Sequence, residues 1–394
     1  MTRRGFMGFA VLAALVAAMQ VPGGAARAED TIKVGLILTY SGPFADNARQ
    51  IDNAVQLYMK QHGDSIAGKK IEIVKRDTTG AAPDIAKRLA QELVTRDKVN
   101  FLAGFVLTPN ALAVASVASE AKVPMIIMNA ATSIITTKSP YIARVSFTLP
   151  QVTAPLAQWA AKHGIKQVYI MTSDYGPGHD AANTFDKTFT AAGGKIVGKV
   201  AMPLKNPDFS AYVQRVNDQH PQAVFLFVPS GQQPVAIMKT FDEQGLTRSG
   251  LKILATGDVT DDGVLQSMGD APLGMITSHH YSYAHDSALN KAFVKAYADA
   301  YGDFRPNFLA VGGYDGMAAI YRVITELKGN IDPDKAMAVL KGMKIDSPRG
   351  PIEIDPETRD VIQTVYIRRV EKVAGKIVNV EFDKVERVKD PGKP

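Results

Sequence analysis

Two polar loops carry the residue types that could hold a small charged molecule. The stretch 99–121 reads as a short apolar strand, Phe101–Ala103, a turn at Gly104 and an Ala-rich helix from Asn110. Thr108 stands as its N-cap and Pro109 at its first position. A helix that starts where a strand ends presents free N–H groups and the positive end of its dipole to the crevice beyond the sheet, which suits a carboxylate or a phosphate. The next apolar run, Val123 to Met128, leads into Asn129-Ala130-Ala131-Thr132-Ser133. Sequential strands of a β-α-β unit are parallel and usually adjacent, so both loops open on one sheet edge. Thr108 and Thr132 can then face one ligand in the position usual for open α/β sheets. The alternative is that Thr108 only caps its helix.

Catalytic signatures are weaker. Gly176-Pro177-Gly178-His179-Asp180-Ala181 matches G-x-G-x-x-A, but its first glycine stands four residues past the strand end at Thr172, too far for a dinucleotide turn. It reads better as a glycine-flanked loop that lets Tyr175 point into a cleft. His279, His280 and His285 are close in sequence, yet a metal needs three or four ligands in fixed geometry, and an irregular crossover segment explains them more simply. There is no G-x-S-x-G, H-E-x-x-H or P-loop. Asp261 and Asp262 are adjacent and are expected to begin the short helix before Met268. No catalytic residue, metal or cofactor is called for.

The elements that position these loops alternate. Thr31–Thr39 is a buried strand, followed by a Ser41-Gly42-Pro43 turn and a helix with Ile51, Val55 and Tyr58 on one face. Lys70–Lys75 is a strand and Pro83–Arg96 a helix, so the first part runs β-α four times and implies a parallel sheet with helices on both faces. The alternation restarts after Pro150, with strands at Gln167–Thr172, Lys195–Met202, Ala223–Val228 and Lys252–Ala255, then Met275–Ser278. Helices follow at Ser287–Tyr301, Phe308–Leu327 and Pro333–Leu340, expected to return to the first sheet. A β-rich tail (Pro351–Ile354, Val361–Arg369, Ile377–Phe382) is expected to cover the second.

The 394 residues suffice for two domains with proper cores, and 46% hydrophobic with 21% charged residues is a globular composition. Residues 1–28 read as a cleaved export signal: Arg3 and Arg4, an apolar stretch Phe6–Met19 too short to span a membrane comfortably, and Ala26-Arg27-Ala28 as the cleavage site. The signal is either of the twin-arginine type or an ordinary secretory one. Removing it leaves 42 basic against 39 acidic residues, a balance of +3 that is scattered and gives no reason to expect nucleic acid. Cysteine is absent, which excludes disulfides, thiolate chemistry and a lipid-modified cysteine anchor.

The order of these features resembles the periplasmic solute-binding proteins of ABC importers, and within them the leucine/isoleucine/valine-binding group with the type I periplasmic-binding-protein fold. The resemblance rests on I-K-V-G-L-I-L-T-Y-S-G-P at 32–43, G-F-V-L-T-P-N at 104–110, N-A-A-T at 129–132, D-Y-G-P-G at 174–178 and T-G-D at 256–258. It implies two Rossmann-like α/β lobes with parallel sheets joined by three hinge crossings, lobe 1 from 31–149 and 279–347, lobe 2 from 150–278 and 348–385. It further implies a monomer that catches a small carboxylate between the lobes and hands it to a membrane permease. The carboxylate would be held by Thr108, Ala130 and Thr132, Tyr175 would close over it, and Asp258 would take an α-ammonium. There are departures: Asp258 is one methylene shorter than the usual Glu, and Ser230 stands where a Tyr is frequent. The loop after Pro43 carries Phe44, Asp46 and Asn47, so the pocket is expected to be wider and flanked by aromatic residues such as Phe44 and Phe105. Two ligand classes follow, a branched-chain or other hydrophobic amino acid, or an aromatic acid or amide. A periplasmic hydrolase or amidase and a ligand-sensing domain are the readings of another class.

Overall fold

The computed structural model describes Met1 and residues 31–393; the expected export signal, Met1 apart, lies outside the described residues. In chain order the first array is β1 (Ile32–Leu38), α1 (Ala45–His62), β2 (Ser65–Ile66), β3 (Lys69–Asp77), α2 (Pro83–Thr95), β4 (Phe101–Gly104), α3 (Thr108–Ala121), β5 (Met125–Ile127) and β6 (Ile142–Arg144). The second is α4 (Leu149–Lys162), β7 (Gln167–Ser173), α5 (Gly176–Ala191), β8 (Lys195–Met202), α6 (Ser210–Gln219), β9 (Ala223–Phe227), α7 (Gln232–Glu243), β10 (Lys252–Thr256) and β11 (Ile276–His279). Then come α8 (Ala288–Tyr301), α9 (Phe308–Glu326), α10 (Pro333–Leu340), β12 (Lys344–Ile345), β13 (Ile352–Ile354), β14 (Val361–Val373) and β15 (Lys376–Val388).

The strands form two sheets, one in the order β2-β3-β1-β4-β5-β6 and one in the order β12-β13-β14-β11-β10-β9-β7-β8 with β15 paired to β14. The adjacency expected of the site strands holds: β4 and β5 are parallel neighbours, with Leu102 opposite Met125 and Gly104 opposite Ile127. β1 is almost wholly buried, as a parallel strand covered on both faces must be. The tail strands extend the second sheet antiparallel, β14 against β11 and β15 against β14.

α9 returns to the first sheet and is nearly all apolar because it is buried over most of its length. A Cβ at Gly312 would lie 2.1 Å from the Met128 carbonyl oxygen, so the helix backbone seats directly on the end of β5. The chain thus leaves the first array after β6, returns to it after β11 and leaves it again after α10. A buried guanidinium ties two of these passages. Arg349 Nη1 donates to the Ser146 carbonyl at 2.9 Å. Its Nη2 donates to the Val145 carbonyl and pairs with Asp315 on α9 at 2.8 Å. Among the described residues no helix is long and apolar enough to cross a membrane.

Candidate ligand-binding site

The site is built from the loops that leave β4, β5, β7, β9 and β10. Gly104 has φ +106°, and a Cβ there would lie 2.7 Å from the Ile37 carbonyl oxygen, so only glycine lets the chain turn off the sheet at this point. Phe105 follows with φ +68°. Its side chain falls back among Ile37, Leu102 and Val114 in the core of lobe 1 and does not flank a pocket, contrary to the sequence expectation. The helix also begins earlier than expected. Leu107 is the N-cap, Thr108 is the first helical residue, and no side chain caps the turn. The Thr108 hydroxyl instead accepts a hydrogen bond from Thr132 Oγ1 at 3.2 Å. The Ala130 N–H, expected to hold a carboxylate, donates to the Phe105 carbonyl at 2.9 Å and is spent.

From lobe 2, Tyr175 is the N-cap of α5, and Gly176-Pro177-Gly178 are that helix's first turn, where a loop was expected. The Tyr175 ring lies stacked 6.1 Å from that of Phe227, at an interplanar angle of 15°. Burial, aided by the charge of Asp258, holds its phenol well above the ordinary value. Asp258 is buried and accepts a hydrogen bond from Thr256 Oγ1 at 2.9 Å. Burial pushes its carboxyl up to about 7, the Thr256 hydroxyl pulls the other way, and neighbouring Asp261 adds to the rise. Asp261 and Asp262 do precede a short 3-10 helix, Leu265–Met268. Both are buried: Asp261 accepts from Asn307 Nδ2 at 2.8 Å and Asp262 from Asn379 Nδ2 at 2.8 Å.

Thr108, Tyr175, Ser230 and Asp258 come together around one cavity between the lobes, with Asn47, Phe147 and Phe227. It offers about 20 Å³, on the scale of a single water. The lobes are apposed over it. Asn47 Nδ2 bridges to Ser230, the Ser133 N–H donates to Asp180 at 3.0 Å, and a Cβ on Gly176 would lie 2.8 Å from Thr132 Oγ1. A solute the size of an aromatic ring therefore enters only when the lobes part. Phe44 stands outside this cavity, in a larger one of about 450 Å³ at another part of the interlobe cleft. Asn47, Phe147 and Phe227 were not anticipated. Asn47 showed only as a departure from the family pattern, and Phe227 only as one apolar residue of the expected strand Ala223–Val228.

The histidines fall in two settings, and His279 is the last residue of β11, not part of an irregular crossover. His279 and His280 are buried against Phe147, with ring centroids 4.9 Å away in each case, and burial holds both far below the usual imidazole value. His285 Nδ1 lies 2.8 Å from Glu381 Oε2.

What the geometry offers is a small cavity lined by the rings of Phe147, Tyr175 and Phe227, with Thr108 from the first turn of α3 and Asn47, Ser230 and Asp258 among its polar residues; Thr132, bonded to Thr108, is not among its lining residues. Residues 31–376 match the profile of a family described as periplasmic binding protein. A curated relative from Brucella melitensis, a Leu/Ile/Val-binding protein homolog, is 43% identical over 365 residues, covering 92% of this chain and 94% of its own. A solved solute-binding protein of an ABC transporter from Rhodopseudomonas palustris BisB5, in complex with 3,4-dihydroxybenzoic acid, is 55% identical with a TM-score of 0.91, covering 93% of this chain and 100% of that one. Another from R. palustris, in complex with 4-hydroxybenzoate, is 43% identical with a TM-score of 0.90, covering 92% and 99%. The chain belongs to the periplasmic binding protein family, as an ABC-transporter solute-binding protein of the leucine/isoleucine/valine-binding group with the type I fold. That family places it in the periplasm, and its members and neighbours here are binding proteins.

Proposed function

We propose that this protein captures a hydroxylated aromatic carboxylate of the hydroxybenzoate class and delivers it, as a monomer, to the membrane permease of an ABC importer. The observation that carries this is the setting of Asp258. It is buried at a cavity whose other walls include the rings of Phe147, Tyr175 and Phe227, and burial makes its charged form costly. A phenolic hydroxyl can hydrogen-bond such a carboxyl in either protonation state, while the ring fills the aromatic slot. The ligand carboxylate takes the opposite end, at Thr108 and the first turn of α3, where hydroxyl and backbone donors are favoured by the helix dipole. Two relatives of 55% and 43% identity were solved with dihydroxy- and hydroxybenzoate, which supports this ligand class. Closure follows because a ligand that touches both lobes does so only when they meet.

The second reading is a hydrophobic α-amino acid. It is favoured by the Leu/Ile/Val-binding relative and by Asp258 itself, which would be ionised against an ammonium. Titration calorimetry with 4-hydroxybenzoate, 3,4-dihydroxybenzoate, benzoate, leucine and phenylalanine separates the two. Tight hydroxybenzoate binding with no leucine response is expected, and the reverse pattern would replace this reading with the second. Product analysis on the same samples tests the hydrolase alternative.

A further inference from the structure

The interlobe cleft contains a second cavity, and we propose that it is a separate binding site for an aromatic carboxylate. The proposal takes its ligand class from the function proposed above but concerns different residues. The cavity offers about 450 Å³, within the range of small-molecule pockets, against about 20 Å³ for the inner one. Both lobes build it. Lobe 1 supplies Pro43, Phe44 and the loop 79–82, and lobe 2 supplies Leu204, Lys205, Phe209 and the start of α7. The Asn47–Ser230 bridge lies between the two cavities, and Gly231 lies beside the Pro43 carbonyl oxygen, so the inner and outer volumes are partitioned in the apposed state.

The chemistry of the wall selects the ligand. Phe44 and Phe209 line it from opposite lobes but are largely buried in their own cores, and Pro43, Ala82, Leu204 and Pro207 complete an apolar wall. Lys205 is exposed and has no ion pair among the described residues, and no acid lines the cavity. A flat apolar body with one negative charge satisfies that set, whereas a cation would find no counter-charge. The lysine can meet the carboxylate while the ring lies against the apolar wall, so a bound aromatic acid touches both lobes and favours their apposed state.

Equilibrium dialysis with radiolabelled 4-hydroxybenzoate, on the wild type and on Lys205→Glu and Lys205→Arg, tests this. Lys205 is exposed, so neither change disturbs folding. Crystals grown with 3-bromo-4-hydroxybenzoate then locate the bromine by anomalous scattering. The expected result is two equivalents bound by wild type and Lys205→Arg, one by Lys205→Glu, and a bromine peak in the outer cavity. One equivalent in all three proteins, with bromine only beside Phe147 and Phe227, overturns the second site and leaves the proposed function standing. One equivalent that Lys205→Glu abolishes, with bromine only in the outer cavity, supports the second site and removes the inner one. No binding at all overturns both.

Discussion

Asn47 Nδ2 lies 3.0 Å from Ser230 Oγ and 3.1 Å from the Ser230 carbonyl oxygen, so one side chain at the start of α1 grips lobe 2 at two points. These bonds cross the cleft and exist only while the lobes are apposed. Asn47→Ala should therefore act on ligand release. A neutral hydrogen bond is worth about 0.5–1.5 kcal/mol, so dissociation should quicken about two- to tenfold with capture little changed. Stopped-flow release traces that superimpose on wild type would show the bridge to be incidental.

Gly176→Ala should wedge the lobes. The added methyl would lie 2.8 Å from Thr132 Oγ1 and 3.5 Å from Thr108 Cγ2, both across the cleft. Folding is unaffected because the strain arises only on closure. Small-angle scattering with saturating ligand should give a larger radius of gyration than wild type, and ligand affinity should fall. Identical scattering curves would mean that Thr132 yields instead.

Thr108→Val tests the anion end. The hydroxyl does not cap α3, so its loss should cost folding little, while a charge-assisted bond to a carboxylate is worth about 1.5–3 kcal/mol of affinity. Calorimetric titration and thermal unfolding, run side by side, should show a large drop in binding and a small one in melting temperature. The opposite ratio would make Thr108 a packing residue.

Asp258→Asn should change how stability depends on pH. The carboxyl rises from 3.8 to about 7 on folding, so the folded chain binds its proton more tightly than the unfolded one. Its contribution to stability is full below the unfolded value and is lost as pH rises through the folded value. The asparagine variant lacks this loss. Relative to wild type it should gain about 2–3 kcal/mol between pH 5 and pH 8, at 1.36 kcal/mol per unit up to the folded value. Urea unfolding at the two pH values measures the gain, and parallel behaviour of the two proteins would place Asp258 in contact with water.

The chain itself announced much of this arrangement. Chain order alone made β4 and β5 neighbours and so brought Thr108 to Thr132, and T-G-D placed Asp258 at a strand end. What it could not announce are relations across the cleft: Asn47 and Ser230 are 183 residues apart, and periodicity tells which face of its own element a side chain takes, not what opposes it from another lobe. Phe105 went astray for a local reason. Two successive positive φ angles, at Gly104 and Phe105, reverse the direction a loop residue would otherwise take. β14 and β15 run on to Val373 and Val388, beyond the expected strand ends, because charged residues such as Glu371, Lys372, Asp383 and Lys384 interrupt the apolar alternation where the pair leaves the core.

Arg349 gives the cleft one fastened edge. Its guanidinium fastens the third passage to the first through the Val145 and Ser146 carbonyls, and Gln363 Nε2 donates to the same Ser146 oxygen at 3.0 Å. Residues that close to the pivot barely separate when the lobes swing, whereas Asn47 and Ser230 meet from opposite lobes and part with them. The opening gap is a wedge. Its broad side holds bonds that parting breaks, as between Asn47 and Ser230, and its narrow side holds bonds that the swing can leave whole, as those of Arg349 to the carbonyls next to Phe147.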